Sequence, residues 1–190
     1  MKSLQCKTNC SQFPPAAAVS ASTLALLLLS PVSPALADHG QDNRAPEVPA
    51  ALEVPVGNKV EFHAYAVGVQ IYVWNAASST WVFKAPSAVL YADAGNNGEV
   101  AIHYAGPTWE SNSGSKVLGA KVNGVTVDPT AIPWLLLKAK TAEGPGIFAR
   151  TTYVQRVNTT GGLAPSTPGT VDGEQAAVPY TAEYFFYRAE

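Results

Sequence analysis

Short β-rich runs separated by turn residues follow one another from about residue 53 to the end of the chain, and this pattern constrains the fold most. Residues 59–75 begin as an alternating strand, in which Gly68 indicates a bulge or bend. The pairs Asn97-Gly98 and Asn123-Gly124 favour the positive φ angles of tight hairpins, which make neighbouring strands antiparallel. We therefore predict an all-β fold, an antiparallel sandwich or barrel of about eight short strands with little helix.

Two segments leave alternatives open within this pattern. Residues 132–141 suit either a buried strand or a helix, because they are rich in leucine, lysine and alanine. Their length and the surrounding β pattern favour a strand. Residues 159–173 are rich in glycine, proline and threonine and are long for a connection in a compact domain, so they either pack on the surface or are mobile.

The first 37 residues have the pattern of a secretory signal peptide. Lys2 and Lys7 supply a positive start, residues 16–29 are largely apolar, and Ala35-Leu36-Ala37 fits the small-residue cleavage rule. The apolar run is shorter than the roughly 20 residues of a membrane-spanning helix. We expect a secreted protein, extracellular or periplasmic and without a membrane span. It would comprise a signal peptide (1–37), a flexible leader (38–52) and a single β domain (53–190).

Composition excludes several kinds of chemistry and partner. Both cysteines, Cys6 and Cys10, lie in the predicted signal peptide, so the mature chain would have no disulfide, zinc–thiolate site or cysteine nucleophile. Removal of the signal peptide leaves 12 − 2 = 10 Lys and Arg against 14 Asp and Glu, a net charge of −4. A mildly acidic chain without a basic run is not expected to bind nucleic acid. We expect no cofactor.

Several long stretches together resemble one family. They are VGVQIYVWN, WVFKAPSAVLY, HYAGPTWESNSGSKV, AIPWLLLKAK, TTYVQRVNTTGGLAP and VPYTAEYFFYR, in this order between about Val54 and Arg188. The chain resembles the family known as domain of unknown function 3455. This resemblance implies an exported single-domain protein, and it implies no activity, because none is established for the family.

The run HYAGPTWESNSGSKV, residues 103–117, combines an imidazole, two aromatic rings, a carboxylate and an ammonium group with small polar residues. His103 lies at the end of the predicted strand Glu99–Tyr104, and Glu110 follows across a glycine–proline turn. An imidazole and a carboxylate that meet in this way can transfer protons, as in a hydrolase or a metal-dependent enzyme. The alternative is structural: His103 is a hydrogen-bonded buried histidine and Glu110 pairs with Lys116.

The same run also predicts a binding surface. Most of the aromatic rings are expected to fill the core, but Trp109 is surrounded by glycine, proline and polar residues, which favours its projection from an exposed turn. Near His103 and Glu110 it would form, with Tyr104 and Asn112, a groove that recognises carbohydrate or another small polar ligand. We take this non-enzymatic binding role as the first hypothesis and the enzyme that uses His103 and Glu110 as the alternative.

A metal site is the weakest hypothesis. His63 and His103, together with Glu61 or Glu110, would supply two imidazoles and one carboxylate. These residues lie on separate predicted strands without close spacing, and scattered histidines are more often structural than ligating. We therefore predict no metal, with His63 and His103 as the candidates to examine.

Overall fold

The computed structural model of the protein describes residues 44–190, which form a closed barrel of eight antiparallel strands. The strands follow one another around the barrel in chain order, and β8 closes it by pairing with β1. The prediction of an all-β antiparallel fold is confirmed, and of the two predicted architectures the chain adopts the barrel. The strands are β1 (Asn58–Asn75), β2 (Thr80–Tyr91), β3 (Glu99–Tyr104), β4 (Thr108–Ser111), β5 (Lys116–Val125), β6 (Trp134–Glu143), β7 (Thr151–Gly161) and β8 (Gln175–Ala189).

The predicted signal peptide lies outside the described residues. Within residues 44–190 the helical structure is one 3₁₀ turn, Ala50–Leu52. No helix in this part of the chain has the length and apolar character needed to cross a membrane.

Side chains at alternate strand positions fill the barrel interior, as the two-residue period of a strand requires. On β8 these inward residues are Tyr180, Ala182, Tyr184 and Phe186, which are all at most 3% exposed. Phe186 packs against Phe148 with ring centroids 4.5 Å apart. Five aromatic side chains of the described residues, Trp109, Phe148, Tyr180, Tyr184 and Phe186, thus belong to the core.

A second apolar cluster lies on the outer face of the barrel, around Val60, Val157, Phe185 and Tyr187. Residues 44–52, predicted as a flexible leader, pack against this side of the domain. Leu52 is fully buried, and its carbonyl oxygen accepts a hydrogen bond of 2.7 Å from the Gln155 side chain. The packed domain therefore begins before residue 53.

The long segment between β7 and β8 packs along the β1–β2 hairpin. The Trp81 indole N–H donates to the Thr167 carbonyl oxygen at 2.9 Å, and the Gly173 N–H donates to the Trp74 carbonyl oxygen at 3.0 Å. Of the two alternatives that the sequence leaves for residues 159–173, the structure shows surface packing.

Candidate functional site

A cavity of about 330 Å³ opens at one end of the barrel. Its wall combines apolar and polar side chains contributed by all eight strands and by the turn between β3 and β4. The apolar residues are Phe83, Pro86, Pro107, Trp109, Leu135 and Leu137, and the polar or charged ones are Gln70, Lys84, His103, Lys121, Arg156 and Tyr184. Gly106 completes the lining.

The barrel wall is shortest beside this cavity, where the β3–β4 turn lies. β2 pairs with β3 only over Ala88–Tyr91, so the earlier part of β2 extends past the turn with one edge unpaired. β5 also extends past it, because its ladder with β4 ends at Leu118 and is followed by a single bond from the Gly119 N–H to the Pro107 carbonyl oxygen. A gap between the free edges of β2 and β5 therefore leads to the cavity.

Glycine and proline make the turn at the base of this gap. Gly106 has a φ of 133°, a conformation that disfavours residues with a side chain, and a Cβ at this position would lie 2.5 Å from the Thr108 Oγ1 atom. The Gly106–Pro107 peptide bond is cis. The turn is short, so β3 and β4 pair directly and His103 lies opposite Trp109.

Three aromatic rings pack together in the wall. The His103 and Trp109 rings stack with centroids 4.4 Å apart and planes inclined by 7°. Tyr184 presents its edge to both rings, at 5.3 Å from His103 and 5.4 Å from Trp109. This edge-to-face arrangement is the favourable one for aromatic pairs, and it fixes the orientation of the imidazole.

His103 is electrically neutral at ordinary pH. Burial lowers the pKa of its imidazole to about 3; the hydrogen bond to Thr108 opposes this shift, and the nearby Arg156 charge adds to it. The Nδ1 atom lies 2.8 Å from the Thr108 carbonyl oxygen. Since a carbonyl can only accept, Nδ1 carries the proton and Nε2 is left as a hydrogen-bond acceptor.

Arg156 is a buried cation without a carboxylate partner. It is 9% exposed, and its Nε and Nη2 groups donate to the Pro133 carbonyl oxygen at 3.2 and 2.7 Å. No Asp or Glu of the described residues forms an ion pair with it. Burial raises the pKa of the adjacent Tyr184 hydroxyl, and the Arg156 charge opposes that shift. The Tyr184 hydroxyl therefore keeps its proton at neutral pH.

Two further donors in the cavity wall have no partner. The Gln70 Nε2 and Trp109 Nε1 atoms are fully buried and form no hydrogen bond with the described residues. Leaving a buried donor unpaired costs about 1–3 kcal/mol. Together with Arg156 they make this wall rich in hydrogen-bond donors, a surface suited to a ligand that brings acceptors.

The predicted exposed position of Trp109 is wrong. The indole is 1% exposed and lies inside the barrel, because Trp109 pairs with His103 in the ladder and shares its inward face. Its neighbours in the sequence are polar, but the short turn pairs β4 with β3 so that the indole points into the core. Trp109 belongs to the cavity and not to an outer groove.

Glu110 and Tyr104 lie on the opposite, outer face of the sheet. The Tyr104 hydroxyl donates to the Glu110 carboxylate at 2.7 Å, and the Lys116 ammonium lies 3.1 Å from the same oxygen. These two contacts lower the pKa of Glu110, with Tyr104 the larger cause. His103 and Glu110 do not form the predicted acid–base pair, whereas the alternative Glu110–Lys116 pair is confirmed.

Asn112 lies at the other end of β3 from the cavity. Its side-chain amide donates to the Glu99 carbonyl oxygen at 2.7 Å and thereby ties the β4–β5 turn to β3. The groove predicted from Tyr104, Trp109 and Asn112 is therefore not formed by the three residues together.

The two candidate metal ligands are also separated by the sheet. His63 points outward, where its Nε2 atom lies 2.8 Å from the Glu183 carboxylate and its ring stacks on Phe185 at 3.9 Å. His103 points inward. No group of three His, Cys, Asp or Glu side chains within residues 44–190 is arranged to hold a metal ion.

The sequence analysis missed five polar residues of the cavity: Gln70, Lys84, Lys121, Arg156 and Tyr184. A signal for Arg156 exists in the alternation of β7, because Val154 and Arg156 are two residues apart and Val154 is fully buried. An arginine at a core-facing position is rare unless it has a partner or a ligand to bind.

Comparison with known proteins identifies a family and no characterised relative. No curated protein matches the chain, and no solved structure matches it. The model of the family described as "Protein of unknown function (DUF3455)" matches residues 55–188, which include every residue that lines the cavity. The chain thus belongs to the DUF3455 family.

Proposed function

We propose that the protein binds one small organic molecule in the cavity at the open end of the barrel. The observation that carries this proposal is the combination of a cavity of about 330 Å³ with two buried, unpartnered donors in its wall. Eight-stranded barrels are just wide enough to hold a small ligand, and ligand pockets typically measure about 300–1,000 Å³. A bound acceptor would offset the cost of leaving Gln70 and Trp109 unpaired.

The lining favours a ligand with a polar head and an apolar body. Trp109, Leu135 and Leu137 offer an apolar surface, and the donors of Gln70 and Arg156 belong to the same cavity. A carbohydrate presents hydroxyl donors on every side, and none of the described Asp and Glu residues lines the cavity to accept from them. The proposed ligand is therefore a small molecule with an acceptor group and not a sugar stacked on an exposed indole.

The alternative of a hydrolase or metal-dependent enzyme has no support in this geometry. His103 and Glu110 face opposite sides of the sheet, and an imidazole with a pKa of about 3 is a weak base at neutral pH. We propose binding without catalysis.

We further propose that this binding takes place outside the cytoplasm. The support is the signal-peptide pattern of residues 1–37. N-terminal sequencing of the protein recovered from the source cells should give Asp38 as the first residue, and a retained Met1 would contradict export.

Titration with N-phenyl-1-naphthylamine, a neutral dye that fluoresces in apolar surroundings, tests the cavity. Fluorescence should saturate at one dye per chain. Leu135→Trp places a larger ring in the cavity and should weaken dye binding at least about tenfold, a difference of about 1.4 kcal/mol. Leu163→Trp is the matched control, since Leu163 is 39% exposed and lies outside the cavity lining. Equal dye binding by Leu135→Trp and the wild type would place the dye elsewhere and refute the proposal.

A further inference from the structure

We propose that the ligand of this cavity is an organic anion whose carboxylate binds Arg156 and whose apolar body lies against Trp109, Leu135 and Leu137. This inference rests on the proposed function and names the chemical class of the ligand. Three observations support it: the charge of the residues that line the cavity, the lack of a carboxylate partner for Arg156 among the described residues, and the position of the two cavity lysines.

The sign of the charge at the cavity is opposite to that of the chain. The protein has 14 acidic against 12 basic residues and a net charge of −2. Three cations, Lys84, Lys121 and Arg156, nevertheless line the cavity, and no Asp or Glu among the described residues does. Low-dielectric walls lined by charges of one sign concentrate the field on a ligand of the opposite sign.

Arg156 is the anchoring group in this proposal. A buried charge normally has a charged partner, because removal of an ion from water is costly. Arg156 is 9% exposed; two of its five N–H donors bind the Pro133 carbonyl oxygen, and the Tyr184 hydroxyl is a further hydrogen-bond partner. The remaining donors can bind a carboxylate in the two-pronged geometry that guanidinium groups favour.

The two lysines lie at the gap in the barrel wall. Lys84 is on the free edge of β2, where its Nζ atom is 3.4 Å from the Gln175 Oε1 atom, a long contact with a neutral group. Lys121 is on β5 beyond the ladder with β4, and no ion pair with a described residue holds it. Both side chains are exposed and would meet an anion as it enters.

Protection of free strand edges is an alternative explanation for these lysines, because a charge on an unpaired edge prevents pairing with another chain. That explanation does not extend to Arg156. β7 is paired on both sides at this residue, with Leu135 on β6 and with Tyr184 on β8, so it has no free edge to protect. A bound anion accounts for all three cations.

The test compares 1-naphthaleneacetate with 1-naphthaleneacetamide, two probes that share an apolar body and differ in charge. Isothermal titration calorimetry at low salt should show that the wild type binds the acid at least about tenfold more tightly than the amide. Arg156→Gln should abolish this preference and leave the affinity for the amide nearly unchanged. Lys140→Gln removes an exposed cation outside the cavity and should keep the wild-type preference.

A second variant covers the case in which Arg156→Gln does not fold, as circular dichroism and thermal unfolding would reveal. The double variant Lys84→Gln/Lys121→Gln changes exposed residues only. It should weaken binding of the acid about two- to fivefold and make that binding less dependent on salt, since screened charges contribute less. An unchanged affinity and salt dependence in this variant would overturn the inference.

The two proposals fail in different ways. Equal affinity for acid and amide, or no binding of the acid by a protein that binds the neutral dye, overturns the anion class and leaves the cavity proposal standing. A preference for the acid that survives Arg156→Gln also overturns the inference. If the dye and both naphthalene probes all fail to bind, the cavity proposal itself is wrong.

Discussion

At the scale of single residues, burial decides the charge of His103 and links it to stability. The pKa of the imidazole is about 3 in the folded protein, against about 6.5 in an unfolded chain. Above pH 6.5 neither state binds the proton, so this histidine adds no pH dependence. Between pH 6.5 and 3 only the unfolded state binds it, and the free energy of unfolding falls as the pH falls.

The wild type should therefore lose stability in acid faster than His103→Gln. From pH 6.5 to 4.5 the free energy of unfolding of the wild type should fall by about 2 kcal/mol more than that of the variant, since one proton contributes up to about 1.4 kcal/mol per pH unit. Urea denaturation at the two pH values measures this difference. The carboxylates are the same in both proteins and cancel, so parallel pH dependences would contradict a buried neutral imidazole.

Of the residues that line the cavity, the sequence identifies His103 and Trp109 and misplaces the second. Strand alternation correctly places His103 at a strand end, and the structural alternative for Glu110 and Lys116 is right. The burial of Trp109 could not be predicted from its polar neighbours. Those neighbours indicate a turn, whereas the inward position of the indole depends on the pairing of Trp109 with His103. Arg156 is not predicted as a cavity residue, because charged residues are almost never buried and composition gives no cause to expect this one to be.

At the scale of elements, Gly68 shows how a ladder can depend on one missing side chain. The β1–β2 register runs without a shift through Gly68, so the predicted bulge is not there; the nearest shift lies between Ile71 and Tyr72. A Cβ at Gly68 would lie 2.2 Å from the Ser87 carbonyl oxygen and 2.5 Å from the Ala88 Cα atom. Both are backbone atoms of β2, which passes unusually close to β1 here.

Gly68→Ala should consequently destabilise the protein by about 3 kcal/mol, because the two strands must separate to admit the methyl group. Val67→Ala is the matched control on the neighbouring residue: Val67 is 39% exposed, and its truncation should cost less than about 1 kcal/mol. Urea denaturation of the three proteins at one pH gives both values. A Gly68→Ala protein as stable as Val67→Ala would show that β2 can move away from β1 without loss of stability.

In β6 the two-residue alternation of side chains distinguishes a strand from a helix. Leu135, Leu137 and Ala139 point into the barrel, and Lys138 and Lys140 are exposed on the other face, which is a strand pattern and not a helical one. The prediction of a strand over residues 132–141 is confirmed by β6. Local composition suits a helix here, but packing against β5 and β7 overrides that propensity.

At the scale of the whole molecule, the choice between sandwich and barrel depends on contacts that no local pattern reveals. Closure requires β1 to pair with β8, with partners such as Val60 and Tyr187 more than 120 positions apart. Alternation and the Asn97-Gly98 turn specify hairpins between neighbours, and those are the same in both architectures. The hairpin turn predicted at Asn123-Gly124 is wrong, because both residues lie within β5 and pair with Leu136 and Leu135 on β6. The cavity follows from closure, so its residues could not be assembled from the sequence.

Closure also leaves apolar residues on the outer face, and residues 44–52 cover them. Leu52 is fully buried on this side of the barrel, and the Gln155 side chain donates a hydrogen bond to its carbonyl oxygen.

Removal of a buried leucine side chain typically costs about 2–5 kcal/mol, so Leu52→Ala should lower the free energy of unfolding by about 3 kcal/mol. A chain shortened to begin at Glu53 should lose at least as much, because the cover over Phe185 and Tyr187 goes with it. Val56→Ala, at a residue that is 81% exposed, is the control and should change stability by less than about 0.5 kcal/mol. If urea denaturation finds Leu52→Ala as stable as Val56→Ala, this segment is an appendage of the barrel and not part of its packed structure.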